Sequence, residues 1–97
     1  MKHRYLVRVE SMNEQAGDTA SESSIQFEVS NHDDIFAIIK KLENREEFAG
    51  DDAKAFGVGL KLFSEVMLKK RDYPLFSQFL PHFIDFMKEL KTKAPGS

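Results

Sequence analysis

The hydrophobic period of this chain changes once along its length, and that change restricts the fold more than any other feature. Tyr5, Val7 and Val9 alternate with Arg4, Leu6, Arg8 and Glu10, and Ile25, Phe27 and Val29 alternate with Gln26, Glu28 and Ser30. A period of two puts one apolar row on one face of a strand. From Ile35 the spacing lengthens: Ile35, Ile38, Ile39 and Leu42 stand at i, i+3, i+4 and i+7, the stripe of an amphipathic helix. Strands first and helices afterwards predict the α+β class, and 97 residues leave room for one small domain. The expected architecture is a two-layer ββααα domain over residues 1–93, an antiparallel β-hairpin covered on one face by three helices, with a polar tail at 94–97. A two-stranded sheet is marginal alone, so the helices must hold it.

Between the strands, SMNEQAGDTASESS is polar, aperiodic and contains Gly17, which predicts a mobile loop over 11–24 and leaves the strand register open. Antiparallel pairing would set Glu28 across from Arg4 or Arg8. In the first helical segment Asn31 is the expected N-cap, Asp33 and Asp34 the acids of the first turn, and Gly50 the stop. Asp51 or Asp52 caps the next helix. Its apolar residues, from Phe56 to Leu68, spread around most of the circumference, predicting a central helix buried on most sides. Within it, Ala53 with Gly57 and Ala55 with Gly59 remove bulk along two strips. Each glycine costs about 1 kcal/mol of helix propensity against alanine, so a close neighbour is expected to offset it. The last helix starts near Asp72 or Tyr73 with Pro74 in its first turn, and Pro81 is expected to bend it or to split it into a short turn and a longer piece.

Composition removes several functions. The chain has no cysteine, which excludes a disulfide framework, thiolate chemistry and cysteine-ligated metal. No apolar run reaches the length of a signal peptide or a membrane span, which predicts a cytoplasmic protein without membrane partners. A net charge of −2 gives no electrostatic footprint for nucleic acid. Charge is uneven: residues 31–52 hold seven acids and three bases, and residues 53–97 eight bases and four acids. Solvation of neighbouring outer faces accounts for this, because exposed charges at physiological salt are strongly screened. The one basic run, Lys69 to Arg71, ends the central helix, where cations complement the dipole.

Catalytic patterns are weak. Gly57 and Gly59 lack the third glycine of a phosphate loop, since position 62 is Leu, and they lie inside a helical pattern. His3, His32 and His82 have acids nearby but no metal-ligand spacing, so neither a metal nor a cofactor is expected. The serines carry no nucleophile elbow. If a cleft exists, His32, Asp33 and His82 would stand at its mouth, the one place where convergent polar groups could be assembled, and Asn31 and Asp34 join them as candidate surface or cleft residues.

The most concentrated apolar signal is YPLFSQFLPHFIDFMKEL, in which Phe76, Phe79, Phe83, Phe86 and Leu90 follow at steps of three, four, three and four. A small domain cannot leave so wide a face in water, so it is read as core packed on the thinned strips of the central helix, with a remainder available as an apolar interface to a second subunit.

Taken together, HRYLVRVE, FEVSNHDDI, VGLKLFSEVMLKKRDYPLF and FMKEL resemble a family of short bacterial proteins known only as a domain of unknown function. The resemblance covers nearly the whole chain, most weakly at 11–24. It implies a cytosolic bacterial α+β protein, carries no activity, ligand or catalytic residue to transfer, and points to Asn31–Asp34 and Lys69–Pro74 as surface positions of interest. The resulting expectation is a non-enzymatic protein-interaction module, homodimeric through a strand edge or through the Phe76–Leu90 face, with room for an unidentified protein partner. The alternative is a small-ligand binder or minor enzyme built on a Phe-lined cleft.

Overall fold

The computed structural model describes residues 2–13 and 23–92. The expectations for most of the 11–24 loop and for the 94–97 tail lie outside the described residues. The elements run β1 (His3–Glu10), β2 (Ser24–Asn31), α1 (Ile35–Leu42), α2 (Asp52–Lys69), α3 (Pro74–Ser77) and α4 (Leu80–Thr92). This is an α+β chain of one antiparallel hairpin followed by helices, and it divides into two compact units, Met1–Asp33 and Asp34–Ser97.

In the first unit the open register is settled: His3 faces Asn31, Val7 faces Phe27 and Glu10 faces Ser24. The register sets Tyr5, Val7 and Val9 beside Val29, Phe27 and Ile25 on one face, as the alternation requires. On the opposite face Arg4 forms an ion pair with Glu28, diagonally across the ladder. Arg8 reaches Glu10 on its own strand at 2.7 Å. The hairpin continues one step further, where the Ser11 amide donates to the Ser23 carbonyl at 2.7 Å.

The second unit corrects the helix boundaries. The N-cap of α1 is Asp34, whose Oδ1 accepts from the Phe36 and Ala37 amides at 3.0 and 3.4 Å, while Asn31 is the last residue of β2. Asp34 is favoured because its extended backbone turns the carboxylate onto first-turn amides that have no acceptor within the helix, the geometry a cap needs. No acid lies in the first turn of α1. The helix ends at Leu42 with Glu43 as C-cap, well before Gly50. Beyond Leu42 the apolar spacing lapses, and the chain turns so that Phe48 stacks on Phe56 with ring centroids 4.6 Å apart. Gly50, at φ +63°, sits in the turn leading into α2, in a left-handed conformation that glycine adopts without strain.

The linker is anchored by Arg45. Its side chain is 10% exposed, its Nη1 donates to the Leu90 carbonyl at 2.9 Å, and its Nε and Nη2 grip Glu47 at 3.2 and 2.8 Å. Leu90 lies in the last turn of α4, where carbonyls have no intrahelical donor, so Arg45 ties that helix end to the α1–α2 connection. The hydrogen bond from Arg45 holds the Glu47 carboxyl below its ordinary pKa. The pair therefore contributes at neutral pH, and its contribution is lost as acidification carries Glu47 through its ordinary value and then its lowered one. Replacing Arg45→Met is expected to cost about 2 kcal/mol, the scale of charge-assisted hydrogen bonds lost from a mostly buried group. Urea unfolding measures the loss, and faster amide exchange confined to the end of α4 locates it.

α2 buries a narrower stripe than its composition predicts: Ala53, Gly57, Ser64 and Met67 are buried, whereas Phe63, Val66 and Leu68 remain exposed. At the C-terminal end of α2 the Lys70 amide donates to the Met67 and Val66 carbonyls. Tyr73 is extended, as a residue before proline prefers, and Pro74 opens α3. The expected split occurs at Gln78–Phe79. Pro81 then falls in the first turn of α4, where its missing amide donor has no helical acceptor to lose.

Candidate functional site

The Phe-rich segment does not close into a full core. α4 and Phe79, just before it, meet α2 through rings: Phe56 contacts Phe86 edge-on at 6.1 Å, and Phe63 contacts Phe79 and Phe83 edge-on at 6.0 and 6.1 Å. Such T-shaped pairs are favourable because the positive ring edge meets the negative face. Between these two aromatic bridges lies an apolar groove of about 420 Å³, with Ala55, Gly59 and Leu60 on its α2 side. Phe79 and Phe86 are left 42% and 45% exposed.

The two small-residue strips of α2 have separate uses. Ala53 and Gly57 are buried, and a side chain built on Gly57 would meet Ile39 Cγ1 at 2.9 Å and Leu42 Cδ1 at 3.2 Å, so this strip admits α1. Ala55 and Gly59 face the groove instead, and nothing lies within 4 Å of a methyl group placed on Gly59. The expectation that Phe rings pack down on both strips is thus met at neither floor position. α1 takes one strip, and the other stays open.

Of the four phenylalanines singled out from sequence, Phe79, Phe83 and Phe86 line the groove, and Phe76 does not. The sequence reading passed over Phe56 and Phe63 as walls, although their i, i+7 spacing with Leu60 between them places all three on one face of α2. His82 stands beside Phe79, ring centroids 6.4 Å apart, and is exposed.

The other polar candidates serve the local backbone. Asn31 is 3% exposed, and its Oδ1 accepts from the Asp33 amide at 3.0 Å, a tight side-chain turn after β2. The Asp33 carbonyl accepts from the Tyr5 hydroxyl at 3.1 Å. Asp34 is occupied as the N-cap of α1. His32 is exposed between them. The structure therefore joins Asn31 and Asp33 in one turn of the first unit, and His82 with Phe79 in the second. Among the described residues, no group of three or more His, Asp or Glu could hold a metal ion. Among the described residues, no helix is long and apolar enough to cross a membrane.

A family model described as a domain of unknown function with a solved structure matches residues 3–92. The crystal structure of a protein of unknown function from Pectobacterium atrosepticum is similar at 36% sequence identity and a TM-score of 0.83, over 96% of this chain and 100% of that one. No curated protein matches.

Proposed function

The chain belongs to the DUF3861 family of domains of unknown function, and from that premise we propose a non-enzymatic protein-interaction module of the bacterial cytoplasm that assembles as a homodimer. The observation carrying this reading is the hairpin. It is a two-stranded sheet, each strand keeps one edge without a strand neighbour among the described residues, and Val9, Ile25 and Phe27 on its apolar face are 55%, 60% and 42% exposed. Two strands are marginal by themselves, and open edges with apolar side chains invite a further strand or surface. A chain of this size also buries a modest fraction of its surface alone, so association adds stability that the monomer lacks.

Light scattering at tens of micromolar is expected to give twice the 11.1 kDa chain mass. A strictly monomeric protein at that concentration overturns the reading.

The groove favours a second reading, a binder of small apolar ligands. A volume of about 420 Å³ lies within the usual range of ligand sites. Its lining is apolar throughout, so it offers shape and ring edges but no convergent polar group to orient a reacting bond. Saturable enhancement of an apolar fluorophore such as anilinonaphthalene sulfonate, diminished by Gly59→Leu in a folded protein, supports this second reading. Fluorescence unchanged by that substitution removes it.

A further inference from the structure

We infer that β1 is a self-recognition edge: it pairs antiparallel with β1 of a second copy of this chain about a two-fold axis at Val7, setting Arg4 of each copy opposite Glu10 of the other. The inference rests on the homodimer reading and specifies its interface.

Backbone geometry decides which atoms face outward. In an antiparallel ladder, residues facing each other alternate between pairs that exchange hydrogen bonds and pairs that do not. The bond from the Ser11 amide to the Ser23 carbonyl, together with the register, assigns the exchanging positions to the odd residues of β1: Tyr5, Val7 and Val9. Consequently the amides and carbonyls of Arg4, Leu6, Arg8 and Glu10 point away from β2, toward the edge that carries no strand among the described residues. A partner strand must satisfy these even positions, which requires even residues to face even residues.

Charge and strand overlap then select the register: centring the axis on Val9 also faces Arg8 with Glu10, but it overlaps only residues 8–10 of β1 and leaves the edge at Arg4 and Leu6 open. Centring the axis on Leu6 faces Arg4 with Arg8 of the other copy, and centring it on Arg8 faces Arg8 with itself, so both arrangements set like charges across the ladder. Centring on Val7 faces Arg4 with Glu10 and Leu6 with Arg8, each twice by symmetry. In the same arrangement Tyr5 lies beside Val9 of the other copy and Val7 beside its own mate, which extends the apolar row of the hairpin across the axis. Arg4 would then lie between Glu28 of its own chain, with which it is already paired, and the other copy's Glu10. β2 offers no such choice, because Glu28 is its one charged residue and has no opposite charge to meet across an axis. Pairing through β1 therefore joins charge complementarity to edge satisfaction, and a symmetric contact of this kind closes at two copies.

The test uses two single variants of the full chain, Arg4→Glu and Glu10→Arg, in sedimentation velocity. Alone, each places like charges together at two symmetric contacts and is expected to weaken the dimer about tenfold or more. Mixed in equal amounts, the two variants present opposite charges to each other at both contacts, and a heterodimer approaching wild-type affinity is expected. In the mixture the Arg4→Glu chain still lacks its own Arg4–Glu28 pair and the Glu10→Arg chain its own Arg8–Glu10 pair, so recovery reports only the contact between chains.

A wild-type dimer with both single variants unweakened, or a mixture no tighter than its components, overturns this register and leaves self-association standing. A monomeric wild type overturns both. Should a charge variant fail to show native circular dichroism, cysteine cross-linking decides the question, and the chain has no cysteine to interfere. At Val7→Cys the two thiols would sit on a non-exchanging pair, with Cα atoms about 4.5 Å apart, inside disulfide range. At Val9→Cys they would be four residues out of step, about 13 Å apart along the strand. Oxidative dimerisation of the first variant alone is expected, and cross-linking of neither or of both equally overturns the proposal.

Discussion

Met67→Ala is expected to lower the unfolding free energy by about 3 kcal/mol, within the range found for Met-to-Ala changes in packed cores. Met67 is 0% exposed, the largest wholly buried side chain among the described residues. It sits in the last turns of α2, one helix stripe along from Ser64, which is also buried. Removing its thioether takes away contacts on every side, and neighbouring helix positions cannot slide inward without breaking the backbone ladder that holds them. The cost therefore has two parts, the lost transfer of apolar atoms from water and the unfilled cavity. For a domain of this size it corresponds to a fall in melting temperature of about 15 °C. Calorimetry with matching urea curves checks it; a fall of only a few degrees would mean that the surroundings collapse into the vacated space. Met67→Leu, close in volume, should stay within about 1.5 kcal/mol of wild type.

Gly57→Leu should be at least as damaging, and Gly59→Ala should go the other way. The two glycines lie two residues apart in the same helix and carry the same propensity cost, so the difference between them is entirely one of neighbours. At Gly57 the added Cβ alone would approach Ile39 Cγ1 to 2.9 Å and Leu42 Cδ1 to 3.2 Å. The contact at Ile39 is on the branched stem of a side chain whose Cα is itself 3.8 Å away, so α1 must move bodily to admit four carbons. Overpacking of this kind costs about 3 kcal/mol or more, and the α1–α2 pairing is the contact that yields. At Gly59 no atom lies within 4 Å of an added Cβ, and the substitution recovers helix propensity of about 1 kcal/mol. Equilibrium unfolding of the two variants under one set of conditions measures the contrast. Equal destabilisation by both would show that the helix, and not the α1 contact, limits stability.

Several features were legible from sequence because each depends on local geometry. The alternation around Val7 and Phe27 required strands, and the Ile35 to Leu42 stripe required a helix, since side-chain direction follows backbone period alone. Pro81 announced a break in the last helix, because a missing amide is a local fact. The cap was not legible: the sequence points to Asn31, and the structure puts Asp34 there. Asn31, Asp33 and Asp34 are all acceptable cap residues in SNHDD, and only the turn that Asn31 makes to the Asp33 amide, with Tyr5 holding the Asp33 carbonyl, leaves Asp34 to cap α1. That choice involves residues 28 positions apart, beyond the reach of any window of sequence.

The candidate site was legible in its materials and not in its form. Phe79, Phe83 and Phe86 stood out by spacing, and a small domain was expected to bury them. What spacing could not supply is how far α2 and α4 stand apart. Ring-to-ring bridges through Phe56 and Phe63 hold the helices at a distance that leaves a groove over Gly59. Arg45 was invisible for the same reason: its acceptor, the Leu90 carbonyl, is 45 residues away, and any surface-patterned arginine would read alike.

By itself, then, the sequence determined the class of each element, the α+β order, the placement of charge away from the apolar rows and the lack of any thiol chemistry. Each follows from residue type and short-range period, which act before the chain is folded. Only the tertiary structure decided the strand register across the 11–24 loop, the early end of α1, which glycine of α2 is covered, and that the Phe-rich face lines an open groove. These depend on distances between segments remote in sequence, where packing and the geometry of unsatisfied backbone groups select among arrangements that local propensity leaves nearly equal.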